Sequence, residues 1–480
     1  MKYLISAILI FSGLVVHAQT NGKVKVACIG ASITYGALIE NREQNCYPAQ
    51  LQNMLGNHYQ VTNYGVSATT LIRKGDNPYW QTKQYKDALA DNPDVVIIDL
   101  GGNDSKLINR THLDQYEQDY KEFIHSFTQL PSHPRVILLL AMATFLKDTA
   151  GIWDPVIVNQ INPKIQKVAY DEHVEVIDMH SPFVNKEANM PDKLHPDKIG
   201  AGIMAQNVYR VIAQERDKDF DIFKSLTMPL KQSSFYGYEC ADFTFNGRNC
   251  KIAKPKFAAK GHPWVWRARF WGHEPQTDIA LLQQGFHIVY YDAAELLGNN
   301  EAIADWDGYY KLLHKAGLAK KAVLEGMSRG GIYAFNWAAL NPEKVACVYV
   351  DNPLLNIPSW AAQFINKPDM KDEMFLAFKK DYNLTTDSDI MNFKGSPVDK
   401  VKQIVKGKYP ILILCADADE QVIPQENTLL FEQKVKALNG NITVIHKPGF
   451  KHHPHSLPNP APIVDFILQE TGYIAKAAIK

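Results

Sequence analysis

The chain has 480 residues, 46% of them hydrophobic, with 51 basic and 51 acidic residues and a formal net charge of zero. That length exceeds one ordinary core and predicts two to four domains. Balanced charge, with no long run of one sign, argues against nucleic acid or a charged membrane surface as partner.

Lys2 precedes the apolar run YLISAILIFSGLVV, and VHA (16–18) follows with small or aliphatic residues at the cleavage positions. Residues 1–18 therefore read as a secretory signal peptide removed after Ala18. The expected product is exported, periplasmic or extracellular. The run is shorter than the ~20 apolar residues a membrane span needs, so no stable membrane insertion is expected.

Residues 22–216 alternate short apolar runs with amphipathic stretches. The strands predicted are VKVACIG, YQVTNYGV, DVVIIDLGG, RVILLLAM and VEVIDMH, with GIMAQNVYRVIAQER (202–216) as a closing helix. Continuous Val/Ile/Leu runs separated by helices predict a parallel sheet covered on both faces. Residues 217–235 read as a linker. From 236 to 480 the pattern restarts with the hairpin DFTFNGRNCKIAKPK, whose Asn-Gly is a type I′ turn signal. PWVWRARF, FHIVYYDA, KAVLEGMS, KVACVYVDNP, PILILCADAD and ITVIHKPG follow as strands. The fold class is thus α/β, two domains in series, each long enough to bury its own core. Among six cysteines, Cys28, Cys347 and Cys415 fall inside strands and read as buried thiols. Cys240 and Cys250 flank the hairpin, where export would permit a disulfide that spacing alone does not decide.

Four blocks of the first unit carry chemistry. Ser32 follows the first strand, Gly65 ends the second, Asn103 ends the third in GGND, and Asp192 and His195 lie in DKLHPD before the last helix. All fall at the carboxyl edge of the sheet, where open α/β sheets bind ligands. A serine hydroxyl needs a base, which His195 supplies, and a carboxylate to hold the imidazole, which Asp192 supplies. The N–H groups of Ser32 and Gly65 and the Asn103 amide are candidate oxyanion donors. In this order, GASIT, NYGVSATT, GGND and DKLHPD resemble the SGNH/GDSL esterase family. The resemblance implies a three-layer α/β/α domain with Ser32 as nucleophile, His195 as base, Asp192 as its orienter, and Gly65 and Asn103 as oxyanion donors.

The second unit carries LEGMSRGG (324–331), a Gly-x-Ser-x-Gly turn between a strand and a helix. Ser328 is its candidate nucleophile, and the N–H of Arg329 a candidate oxyanion donor. An acid and a base are expected later in the chain, in that order. CADADEQVIP offers Asp417 or Asp419, and KPGFKHHPH offers His452, His453 or His455. Over 236–480 this pattern resembles the α/β-hydrolase fold, near prolyl-oligopeptidase-like and carbohydrate esterases. The resemblance selects Asp419, from its Asp-x-x-Val-x-Pro turn, and His452, from its Gly-x-x-His turn. A metal site is the rival reading of the histidine cluster, but no motif such as His-Glu-x-x-His supplies further ligands, so no metal or cofactor is expected. Arg267, Arg269, Arg329 and His273 are candidates to line this pocket, with a structural ion pair the competing role for each. Tyr79, Trp80 and Trp360 are candidates to stack on sugars, with core packing the competing role.

Both constellations transfer an acyl group to water. The expectation is an exported carbohydrate esterase with two sites, removing ester decorations, O-acetyl above all, from a poly- or oligosaccharide. That substrate class is implied by the resemblance. The alternative is a single-site esterase, lipase or peptidase whose other half binds glycan. Oligomeric state is left open.

Overall fold

A computed structural model describes residues 22–365 and 373–475. The expected signal peptide, 1–18, lies outside the described residues. The first sheet is built from β1 (Val24–Gly30), β2 (Tyr59–Gly65), β3 (Val95–Asp99), β4 (Arg135–Leu139) and β5 (Glu175–Ile177). Its order is β2-β1-β3-β4-β5 and every pairing is parallel. Alternate residues point to opposite faces, so each face needs its own helices. Ile97 packs with Leu51 and Val208 on one side. Val96 packs with Phe123 and Ile165 on the other.

A two-stranded link, β6 (Arg216–Asp217) with β10 (Ala258–Ala259), joins this unit to a nine-stranded sheet. The large sheet contains β7 (Lys231–Phe235), β8 (Tyr238–Phe245), β9 (Arg248–Lys254), β11 (Trp264–Arg267), β12 (His287–Tyr291), β13 (Ala322–Met327), β14 (Val345–Asp351), β15 (Ile411–Ala416) and β16 (Ile442–Lys447). Its order is β16-β15-β14-β13-β11-β12-β9-β8-β7. The strands from β12 to β16 run parallel in this order, and β7, β8 and β9 are antiparallel. This is the α/β-hydrolase arrangement. The Asn246-Gly247 turn closes the β8–β9 hairpin, both residues adopting positive φ.

One feature departs from the sequence reading. Part of the expected linker is β7, paired along its length with β8. The hairpin cysteines are free. Cys240 pairs with Ala253 and Cys250 with Phe243, so the two thiols lie three residues apart along the ladder, on opposite faces. Each unit has an apolar cluster of its own, and a third is shared between them. The shared cluster runs from Val96 and Ile165 in the first unit through Leu281 and Ile467 to Val265 and Tyr349 in the second. The helix Gln276–Gln283, buried over nearly its whole length, sits between the sheets. Across the junction Tyr238 Oη donates to the Val176 carbonyl at 2.8 Å. Arg210 pairs with Asp465 at 2.7 Å.

Candidate active sites

Ser32 opens the short helix Ser32–Tyr35, directly after β1. Its hydroxyl lies 2.8 Å from His195 Nε2, and His195 Nδ1 lies 2.7 Å from Asp192 Oδ2. The other Asp192 oxygen accepts the N–H groups of Leu194 (3.1 Å) and His195 (2.7 Å). One carboxylate therefore shapes the turn and orients the imidazole. Burial alone would raise the Asp192 carboxyl, but the His195 side chain and these backbone donors outweigh it and hold its pKa below the ordinary carboxylate value. The turn is pinned from outside, since the Lys193 carbonyl accepts the Phe145 N–H at 2.8 Å.

The glycine at 65 meets a steric demand. A Cβ there would lie 2.2 Å from the Tyr35 nitrogen, so only glycine lets β2 pass beside the serine turn. The Gly65 N–H donates to Asn63 Oδ1 at 2.8 Å. Asn103 is buried and gives one amide hydrogen to the Thr69 carbonyl at 3.1 Å. A second hydrogen remains on that amide. Beside it the buried Asp104 carboxylate accepts the N–H groups of Leu71 (3.1 Å) and Ile72 (2.8 Å), which stitches the two oxyanion-side loops together. Sequence reading missed Asp104 because GGND shows one functional amide and gives no sign of what the next carboxylate holds.

Ser328 sits on a strained turn, with φ of 50°. Its N–H donates to the Asp351 carbonyl at 2.9 Å. A Cβ on Gly326 would come within 2.7 Å of the Gly330 backbone, whereas one on Gly330 would meet Ala268 at an ordinary 3.5 Å. The first motif glycine is thus the one the turn requires. The structure brings His452 to Ser328, Nε2 to Oγ 3.0 Å, and Asp419 to His452, Oδ2 to Nδ1 2.7 Å. The second Asp419 oxygen accepts the N–H groups of Gln421 (2.8 Å) and Val422 (2.9 Å). Asp417 turns away to His446, 2.6 Å distant and exposed. His455 lies 3.3 Å from the buried Asp351. His453 faces solvent, where partial burial and three neighbouring imidazoles depress its pKa. The imidazole nitrogens of His452, His453 and His455 approach within 4.8 Å. Both nitrogens of His452 are engaged within the Ser–His–Asp arrangement.

Asn352 is a residue the sequence did not flag. Buried and left-handed, with φ of 42°, it accepts the Ala416 N–H at 2.7 Å and donates to the His452 carbonyl at 2.9 Å. It couples the strand that carries the acid to the loop that carries the base. Arg267, a pocket candidate, is instead fully buried against Asp278 and Glu325. Burial pushes the Glu325 carboxyl well up, the neighbouring Asp278 adding to the effect. Arg269 donates to the Ala294 carbonyl at 2.9 Å, while Arg329 and His273 line a cavity of about 600 Å³ next to Ser328. Tyr79 and Trp80 are packing residues: Tyr79 is fully buried and Trp80 packs edge-on against Phe123. Trp360 lines the cavity.

The two arrangements differ in exposure. His195 and Asp192 side chains are 16% and 36% accessible, His452 and Asp419 only 7% and 1%. The Ser328 arrangement is the more deeply buried of the two.

Fold and geometry define an α/β protein with two serine–histidine–aspartate constellations. Residues 28–203 match the GDSL-like Lipase/Acylhydrolase family. The chain is 37% identical over 215 residues to an acetylxylan esterase of Xylanibacter ruminicola, covering 41% of this chain and 45% of that relative. It thus spans less than half the length of that curated relative. Among solved structures, it is similar to Est24, a carbohydrate acetylesterase from Sinorhizobium meliloti, at 18% identity and a TM-score of 0.34, over 40% of this chain and 99% of that one. It is also similar to an S-formylglutathione hydrolase from Agrobacterium tumefaciens, at 16% identity and a TM-score of 0.38, over 51% and 98% of the two chains. Among the described residues no helix is long and apolar enough to cross a membrane.

Proposed function

We propose that this protein is an exported carbohydrate esterase of two domains, with independent nucleophiles at Ser32 and Ser328, that removes ester groups from an acylated poly- or oligosaccharide. One observation carries the reading. Each serine hydroxyl is within hydrogen-bond distance of an imidazole that a carboxylate orients, at 2.8 and 2.7 Å in one site and 3.0 and 2.7 Å in the other. Similarity to an acetylxylan esterase supports acetylated xylan as a substrate. Export rests on the pattern of residues 1–18.

In each site the imidazole takes the serine proton as Oγ forms a bond to the ester carbon. The tetrahedral oxyanion is held by fixed donors: the Ser32 N–H at a helix start and the Asn103 amide in one site, the Arg329 N–H in the other. As the alkoxide leaves, it takes the proton from the imidazole, giving an acyl-serine. Water then repeats the sequence and frees the acid. Neither step requires a redox group or a second substrate.

Acetate release from acetylated xylan, acetylated pectin and O-acetyl sialic acid, measured with the unmutated protein, Ser32→Ala and Ser328→Ala, tests the assignment. The reading requires Ser32→Ala to lose acetate release by roughly 10³-fold or more. It also requires an ester whose cleavage disappears only in Ser328→Ala. If all measurable hydrolysis depends on one serine, the other half is a binding module and the single-site alternative replaces this proposal.

A further inference from the structure

The more buried site, that of Ser328, adjoins a cavity. This cavity of about 600 Å³ is bounded by two aromatic walls. Phe270 and Trp271 form one, from the loop after β11. Trp360 and Phe364 form the other, from the helix Ile357–Ile365. All four side chains are only partly buried. Both walls are braced from behind. Trp271 packs on Phe235 with ring centroids 4.8 Å apart, and Trp360 packs on Phe364 at 5.2 Å and on Phe378 at 6.3 Å. Gln363 Nε2 donates to the Gln421 carbonyl at 3.0 Å, which ties the helix to the loop that follows Asp419. Ser328 and His452 also line this cavity, and among the described residues that line it none is a carboxylate.

That volume suits a ligand of drug-like size. An acetyl group would leave most of it empty and the aromatic faces wet. A flexible alkyl chain would lose several rotors on entry and gain no ring-on-ring geometry from walls already fixed in place. A flat ring between braced aromatic walls gains both area burial and quadrupole-matched contacts.

We infer that the Ser328 site cleaves esters whose acyl group carries an aromatic ring, an arylpropenoate such as a cinnamoyl group being the type. The inference deepens the proposed function and rests on the reading of Ser328 as a nucleophile. The bond formed is Ser328 Oγ to the acyl carbon. The bond broken joins that carbon to the alcohol oxygen, which leaves with the proton held by His452. Water then releases the aryl acid and restores Ser328.

The test uses full-length Ser32→Ala protein, with methyl acetate, methyl octanoate, methyl cinnamate and 2-phenylethyl acetate as substrates. The expected kcat/KM for methyl cinnamate exceeds that for the two other methyl esters by about tenfold or more. Trp360→Ala is expected to lower the cinnamate-to-acetate ratio by about tenfold, the worth of a lost ring contact plus its buried area, and Trp360→Phe to restore most of it. Equal or faster cleavage of acetate or octanoate would overturn the inference, as would a ratio that Trp360→Ala leaves unmoved. Faster cleavage of 2-phenylethyl acetate than of methyl cinnamate would place the ring on the alcohol side and overturn it too. Loss of all ester hydrolysis in Ser32→Ala protein would instead sink the two-site reading beneath it, so the two failures are distinct.

Discussion

At the scale of single residues, the two serines are held by different means. Ser32 relies on a glycine across the sheet, for β2 approaches so closely that a methyl group on Gly65 would strike the Tyr35 nitrogen. Gly65→Ala should therefore displace the serine turn, lowering stability by ~1–3 kcal/mol, the usual range for overpacking. It should cut Ser32-dependent acetate release about a hundredfold, since an ångström of misplacement has that scale of effect. Ser328-dependent hydrolysis in the same protein shows whether the damage is local. Ser328 relies on strain within its own turn and on Gly326. A different residue governs acid sensitivity. His287 is buried against the Pro263 carbonyl, and burial pushes its pKa down to about 3. Folded, it stays neutral; unfolded, it takes a proton below about pH 6.5. Stability from this residue is complete above that value and is lost as pH falls toward 3, at roughly 1.4 kcal/mol per pH unit. Urea unfolding of His287→Gln between pH 4 and 6.5 should show a shallower pH dependence than the unmutated protein. An unchanged slope would mean that His287 titrates alike in both states.

At the scale of elements, the strands of both sheets were legible because buried parallel strands are continuous Val/Ile/Leu runs, as in VVIID and ILILCA. The hairpin was legible because Asn246-Gly247 has the backbone its turn demands. The strand β7 was not. Its KQSSF sequence is mostly exposed at the sheet edge and shows no apolar period to read. The motif residues Ser32, Asp192, His195 and Ser328 announced themselves by local pattern. The choice of Asp419 over Asp417 and of His452 over its neighbours needed either a resemblance or the fold, because spacing alone does not say which side chain reaches the serine. Asn352 carried no signal, since its role exists only once β14 lies beside β15. Through it the Ala416 N–H and the His452 carbonyl are tied together. Asn352→Ala should let the base loop shift, lowering kcat at the Ser328 site by about a hundredfold with a smaller change in KM. Ser32-dependent turnover reports that the fold survives. A fall in KM-linked binding alone, with kcat retained, would show that Asn352 shapes the pocket and does not position the base.

At the scale of the whole molecule, the shared apolar cluster makes the two halves one packed body. The shared cluster was not legible because sequence periodicity shows that a face is apolar without showing what covers it. Here the helix Gln276–Gln283 buries both its sides, one against each sheet. Under the proposed function, two sites on one packed body suit a polymer bearing more than one ester, since a chain held at one site is presented to the other at high effective concentration. The account stands on two separately activated serines. Labelling with a fluorophosphonate, followed by mass mapping of the labelled peptides, tests that claim most directly. It predicts labels on both Ser32 and Ser328, with His195→Ala removing only the first and His452→Ala only the second. A label confined to one serine, or loss of both labels in either variant, would contradict it.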